Sequence, residues 1–125
     1  MKNIIVISTS LRKNGNSERL ADAFVKGAKE AGHMVEKCSL QGCAMHFCTG
    51  CMTCQHSRQG QCAMPDDADI LIQKMAAADV IAFATPVYFY EMCGQMKTLL
   101  DRTNPLFPIP YKFKDIYLSL IHISE

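Results

Sequence analysis

Two stretches of this 125-residue chain carry side chains whose types and spacing could do chemistry. The first is Ser8-Thr9-Ser10-Leu11-Arg12-Lys13-Asn14-Gly15-Asn16-Ser17. It offers the hydroxyls of Ser8, Thr9, Ser10 and Ser17, the Arg12 guanidinium and the Asn14 and Asn16 amides, with Gly15 allowing a tight backbone. It directly follows the apolar run Ile4-Ile5-Val6-Ile7 and directly precedes a helical pattern. A loop between a strand and a helix exposes the helix's free N–H groups, and the helix dipole favours an anion there. That chemistry is phosphate binding.

The second stretch holds Cys48, Cys51, Cys54 and Cys62, spaced C-x2-C-x2-C-x7-C. Overlapping C-x2-C steps let one loop wrap three corners of a cubane, and a later cysteine closes the fourth, which points to a [4Fe-4S] cluster. Structural zinc more often uses two separated pairs. The same cysteines also read as free thiols, or as a Cys51–Cys54 redox pair. His46 and His56 flank them and read as hydrated loop histidines. Cys38, Cys43 and Cys93 read as structural, with redox sensing a second reading for Cys93.

The elements that must position these groups follow from periodicity. Ile4 to Ile7 is an apolar, β-branched run expected of a strand buried on both faces of a parallel sheet. From Ser17 to Ala31, Leu20, Phe24, Val25 and Ala28 recur at helical spacing, and Gly32 closes the helix. His33 to Cys38 forms a second strand. Residues 41–65 form a long, cysteine-rich loop, and loops of that length are usually functional or disordered. Asp66-Asp67 caps a helix whose apolar stripe runs through Ile70, Leu71, Met75 and Ala78. Val80 to Ala84 is a third buried strand closed by Thr85-Pro86, a third helix spans Glu91 to Arg102, and Ile116 to Ile123 is a fourth strand. Strands alternating with helices predict an α/β fold with a doubly wound parallel sheet, in which ligands bind beyond the carboxyl ends of the strands. The Ser8–Ser17 and Thr85–Tyr90 loops both open on that edge.

Composition narrows the classes. The length suits one domain with a single core. A formal net charge of +1 argues against bulk electrostatic binding to nucleic acid. No apolar run reaches a membrane span and no signal peptide is visible, so the expected location is the cytoplasm. Seven cysteines without export point to metal or redox chemistry rather than disulfides. The phosphate loop is neither Gly-x-Gly-x-x-Gly nor Gly-x-x-x-x-Gly-Lys-Ser/Thr, so dinucleotide and triphosphate cradles are disfavoured. Hydroxyls, one arginine and backbone N–H groups suit a terminal monophosphate. Combined with an aromatic loop after the third strand, they suit flavin mononucleotide, FMN.

Ser10 through Ser17, Cys48-Thr49-Gly50-Cys51-Met52-Thr53-Cys54, and Thr85-Pro86-Val87-Tyr88 with Gly94, Lys97 and Asp101-Arg102 together resemble the flavodoxin-like NADPH-dependent FMN reductase and iron–sulfur flavoprotein family. The resemblance runs from residue 2 to about residue 115. It implies a flavodoxin-like sheet of order 2-1-3-4-5, counting strands along the chain. It also implies that Ser10, Arg12, Asn16 and Ser17, beside Ser8, hold the FMN phosphate, while Thr85, Pro86, Val87 and Tyr88 line the flavin ring with Phe89 nearby. Lys97, Asp101 and Arg102 match the pattern and stay open between ion pair, subunit contact and flavin contact.

The chain stops where a fifth strand and last helix would follow, so the domain over 1–125 is expected to be incomplete at its C-terminus. Leu118 to Glu125 reads as much like read-through as like a natural strand. An incomplete sheet favours a homodimer or higher oligomer. The expected function is an oxidoreductase passing electrons from NAD(P)H through FMN to a small redox substrate such as a flavin or quinone. The alternatives are an iron–sulfur electron carrier and a non-catalytic metal or interaction module.

Overall fold

The structure, a computed structural model, describes residues 1–122; the expected strand end at Ile123 lies outside them. Strand β1 (Asn3–Ser8) leads through the hydroxyl-rich loop into helix α1 (Asn16–Glu30), and β2 (Met34–Ser39) follows. After the cysteine loop come α2 (Asp67–Ala77), β3 (Val80–Tyr88), a short β4 (Glu91–Met92), α3 (Gly94–Asp101) and β5 (Asp115–His122). β1 lies parallel between β2 and β3, and β5 pairs in parallel with β3 on its other edge. This is the doubly wound parallel sheet expected from the alternation of elements, and its spatial order β2-β1-β3-β5 agrees with the flavodoxin-like order that the resemblance implies.

The β-branched run in β1 serves two cores because successive side chains point to opposite faces. Ile5 and Ile7 join Leu71, Met75, Ile81, Phe83, Met96 and Leu99 on the α2/α3 side. Ile4 and Val6 join Ala21, Val80, Ala82 and Ala84 on the α1 side, with Phe24 and Val25 packed against them. Both helical stripes are rotated slightly from the expected ones. Leu20 and Ile70 face outward at 40% and 58% exposure, and Ala21 and Ile72 take the buried places. At α2, Asp66 caps the helix with a reciprocal Asp69 box, so this helix satisfies its own first N–H groups.

Two boundaries near the second ligand loop differ from expectation. β3 does not stop at Thr85-Pro86 but runs on to Tyr88. The Pro86 carbonyl accepts from Cys93 N–H at 3.2 Å, and in a strand a residue's nitrogen points the same way as its carbonyl. The missing N–H of Pro86 therefore faces the gap between β1 and β4, where no ladder partner is lost. The third helix begins at Gly94 rather than Glu91, because Glu91 and Met92 pair back on Tyr88 and Val87. Phe89 and Tyr90 make the two-residue turn, with φ of 49° and 64°.

Both turn residues thus sit in the left-handed region that Asn-Gly turns fill without cost, and bulky aromatics there are strained. Each residue is more than nine-tenths exposed, so packing does not offset the strain. Replacing them with Phe89→Asn and Tyr90→Gly is expected to raise stability by about 1–2 kcal/mol. The check is the urea midpoint, and an unchanged or lower midpoint contradicts the strain.

Candidate functional site

Register places the first loop. β1 ends at Ser8 opposite Ala84, whereas β3 continues to Tyr88, about 13 Å further at strand rise. Val87 already pairs with His122 on the β5 edge, so β4 occupies the edge that β1 leaves free. The β3–β4 hairpin therefore overhangs the carboxyl end of β1, where the hydroxyl-rich loop begins.

A buried set of polar groups joins the two. Thr9 N–H donates to the Ala84 carbonyl at 3.0 Å. The hydroxyls of Thr9 and Thr85 lie 3.3 and 3.0 Å from the Cys93 sulfur. Gln95 Nε2 donates to the Thr9 carbonyl at 2.9 Å. Cys93 is fully buried in this set, which makes it a structural thiol and not an accessible sensor. Gln95 is a positioning group that sequence reasoning did not single out, because its bond to Thr9 spans 86 residues of chain.

Above this floor the loop closes on itself. Arg12 N–H donates to Ser10 Oγ at 3.1 Å, and Gln41 Nε2 donates to the Arg12 carbonyl at 3.2 Å, leaving the Arg12 side chain exposed. Gly15 is the α1 N-cap, and no side chain caps the helix. The first helical bond runs from Arg19 N–H to the Gly15 carbonyl at 3.0 Å, so Asn16, Ser17 and Glu18 have N–H groups with no partner inside the helix. This contrasts with the self-capped α2. Ser10 and Ser17 are buried at this turn, and Asn16 is exposed.

Ser8 is placed differently from Ser10 and Ser17. It is buried, and its hydroxyl donates to Glu18 Oε1 at 3.1 Å. Lys37 Nζ sits 2.6 Å from both Glu18 Oε2 and Asp22 Oδ1. Ser8 thus ties β1 to the first turn of α1. In the overhanging hairpin, Thr85 and Pro86 are buried, Val87 and Tyr88 are half-buried, and Phe89 and Tyr90 project into solvent with their rings edge to face.

The cysteine loop lies between β2 and α2. Cys48, Cys51, Cys54 and Cys62 line one cavity together with Thr49, Met52, Arg102 and Asn104. The cavity is about 30 Å³, so a group larger than a water enters only as the loop moves outward. Among the described residues, no three His, Cys, Asp or Glu side chains converge closely enough for a single metal ion. All four cysteines are free thiols. Gly50 N–H and Asn104 Nδ2 donate to the Cys48 sulfur at 3.4 and 3.5 Å, and Met64 N–H donates to the Cys62 sulfur at 3.4 Å. N–H groups aimed at cysteine sulfur are the surroundings that stabilise thiolate ligands. Burial pushes the Cys54 thiol up, whereas hydrogen bonds from Thr53 draw the exposed Cys51 thiol down. Gly60 is required here: its φ is +89°, and a Cβ would lie 2.5 Å from Ile109 Cγ2.

Arg102 ends α3 and is 2% exposed. Its guanidinium pairs with Asp66 at 2.7 Å and donates to the His46 and Met64 carbonyls at 3.1 and 3.4 Å. Lys97 and Asp101 form an exposed ion pair one helical turn apart. The His46 ring lies against the Phe47 and Met64 carbonyls, whose hydrogen bonds raise its pKa.

Burial opposes ionisation of Asp66, but the Arg102 guanidinium and the His46 and Ala68 N–H groups outweigh it and lower the pKa from 3.8 to about 2. A depressed carboxyl stabilises the fold above its unfolded pKa, and that contribution is lost as pH falls through the folded value. The difference amounts to about 2 kcal/mol, lost between about pH 4 and pH 2. Asp66→Asn is expected to lower neutral-pH stability and flatten the acid limb of the unfolding curve. A wild-type acid limb in that variant contradicts the assignment.

The sequence pattern of NADPH-dependent FMN reductases matches residues 2–116. The chain belongs to this family. Among its curated relatives, an iron–sulfur flavoprotein of Archaeoglobus fulgidus is 38% identical over 77% of this chain and 43% of its own length. One from Methanocaldococcus jannaschii is 37% identical over 82% of this chain and 52% of its own. The chain therefore spans about half the length of these relatives. A solved NAD(P)H:quinone oxidoreductase from Methanothermobacter marburgensis superimposes with a TM-score of 0.76, covering 97% of this chain and 66% of that one. At 16% identity that likeness bears on the fold alone. Among the described residues, no helix is long and apolar enough to cross a membrane.

Proposed function

We propose that the chain is the FMN-holding part of an oxidoreductase that takes electrons from NAD(P)H and delivers them to a small acceptor of the flavin or quinone type. The observation carrying this reading is the uncapped N-terminus of α1, closed over by the Ser10–Ser17 turn and lying beneath the β3–β4 overhang. The residues there fit a flavin monophosphate. The N–H groups of Asn16, Ser17 and Glu18 and the Arg12 guanidinium would hold the phosphate, with Ser10, Asn16 and Ser17 adding hydrogen bonds. Thr85, Pro86, Val87 and Tyr88 would line the ring, with Phe89 at its edge, while Ser8 fixes the loop through Glu18. When bound, FMN supplies the hydride-accepting ring. The protein's part is position and electrostatics, and no side chain is assigned as a proton donor.

The donor set of the second site fits a [4Fe-4S] cluster held by Cys48, Cys51, Cys54 and Cys62. The four thiols share one cavity, and Cys48 and Cys62 receive N–H donors at sulfur. A cluster there supplies one-electron transfer. Family relatives named iron–sulfur flavoproteins support this reading.

Among the described residues the outer edge of β5 has no partner strand, and Ile116, Tyr117, Leu118 and Leu120 are half-exposed, which supports assembly as a homodimer or higher oligomer. A second reading, an electron carrier without substrate turnover, draws on the same cysteines. Anaerobic purification followed by flavin, iron and sulfide analysis tests both sites. FMN with iron and sulfide is expected; absence of FMN overturns the first assignment, and absence of iron and sulfide the second.

A further inference from the structure

We propose that Arg102 is a positioning residue for the cysteine site, drawing together the two ends of the loop that carries Cys48, Cys51, Cys54 and Cys62. The inference deepens the reading of those cysteines as a cluster site and rests on it. His46 stands two residues before Cys48, and Met64 two residues after Cys62. One guanidinium reaches both backbones, donating to the His46 carbonyl at 3.1 Å and the Met64 carbonyl at 3.4 Å. Asp66 fixes the guanidinium through a 2.7 Å ion pair, and the same Asp66 oxygen accepts His46 N–H at 2.8 Å. The His46 ring closes the clip by meeting the Met64 carbonyl from the other side.

Arg102 is also part of the cavity wall shared by the four cysteines, and Asn104, two residues on, reaches the Cys48 sulfur at 3.5 Å. The α3 C-terminus and the segment after it therefore set the spacing of sulfurs that lie more than 35 residues earlier in the chain. A planar fork with several fixed donors can bridge two carbonyls and a carboxylate at once, whereas a lysine ammonium carries all three of its donors on one nitrogen.

The test uses the full chain as wild type, Arg102→Met and Arg102→Lys. Metal-free protein is labelled with iodoacetamide, and each cysteine is followed by mass spectrometry. Fully buried Cys93 reports whether the global fold survives, and Cys51, exposed already in wild type, is the accessible reference. In either variant, labelling of Cys54 and Cys62 is expected to accelerate at least tenfold while Cys93 stays protected and Cys51 is unchanged. Anaerobic reconstitution with iron and sulfide is expected to give less than a third of the wild-type visible absorbance in Arg102→Met, with incomplete rescue by Arg102→Lys.

Wild-type labelling in both variants overturns the proposal. So does Cys93 labelling at the rate of Cys54 in Arg102→Lys, which would reduce Arg102 to general support of the fold. If wild type takes up no iron and sulfide, the cluster reading fails by itself, and the labelling pattern still decides the role of Arg102.

Discussion

Arg12→Ala combined with Ser17→Ala is expected to weaken FMN binding roughly a hundredfold or more. Arg12 stands exposed at the rim of the turn while its backbone is held by Ser10 and Gln41, so truncation removes charge without dismantling the loop. A charge-assisted hydrogen bond to phosphate is worth about 1.5–3 kcal/mol, and two lost contacts reach the hundredfold range. Ser17 lies in the first turn of α1, where its N–H has no helical partner. Its hydroxyl can go while that N–H stays, so the double variant should retain weak binding. Fluorescence titration with FMN measures the effect, and raised salt should weaken wild type more than the variant. A titration matching wild type would remove the phosphate from this loop.

Cys54→Ser is expected to reduce bound iron to background while leaving FMN affinity within about twofold. Cys54 is the most buried of the four site thiols and sits in a short 3-10 turn, Thr53–Gln55, that points it into the shared cavity. A serine is close in size, so little packing is lost, but its hydroxyl is a poor ligand for iron compared with thiolate. The change therefore separates ligand chemistry from fold. Iron and sulfide assays after anaerobic purification read the first effect, and FMN titration reads the second. Iron retained at the wild-type level would take Cys54 out of the ligand set.

What the sequence disclosed, and what it concealed, follows from the range of the forces involved. The two-sided burial of Ile4 to Ile7 was legible because a continuous β-branched run has few other uses. The loop from Ser8 to Ser17 was legible because hydroxyls, glycine and a following helix lie close together in the chain. The continuation of β3 through Pro86 was hidden. Proline ordinarily ends a ladder, and only the pairing with β5 and the gap above β1 show why it is tolerated here. Phe89-Tyr90 carries none of the Asn-Gly signature of a two-residue turn, so Thr85–Tyr90 was read as a loop and β4 as the start of a helix. Arg102 stayed open in the sequence between ion pair, subunit contact and flavin contact. Its burial depends on Asp66, His46 and Met64, whose approach no local pattern encodes.

The hairpin also shows where fold and proposed site meet. Two aromatics are held in strained backbone, fully solvated, at the end of the strand that overhangs the α1 turn. Strain of that kind persists only where the surrounding structure dictates it. Here the Tyr88–Glu91 and Val87–Met92 pairs, with Cys93 buried against Thr9 and Thr85, supply that constraint.

The visible absorption spectrum of anaerobically purified protein, recorded before and after NADPH, tests the central claim most directly. The account predicts flavin bands over a broad iron–sulfur shoulder, with the flavin bands bleached by NADPH. A colourless protein that takes up no FMN and leaves NADPH unconsumed would contradict it.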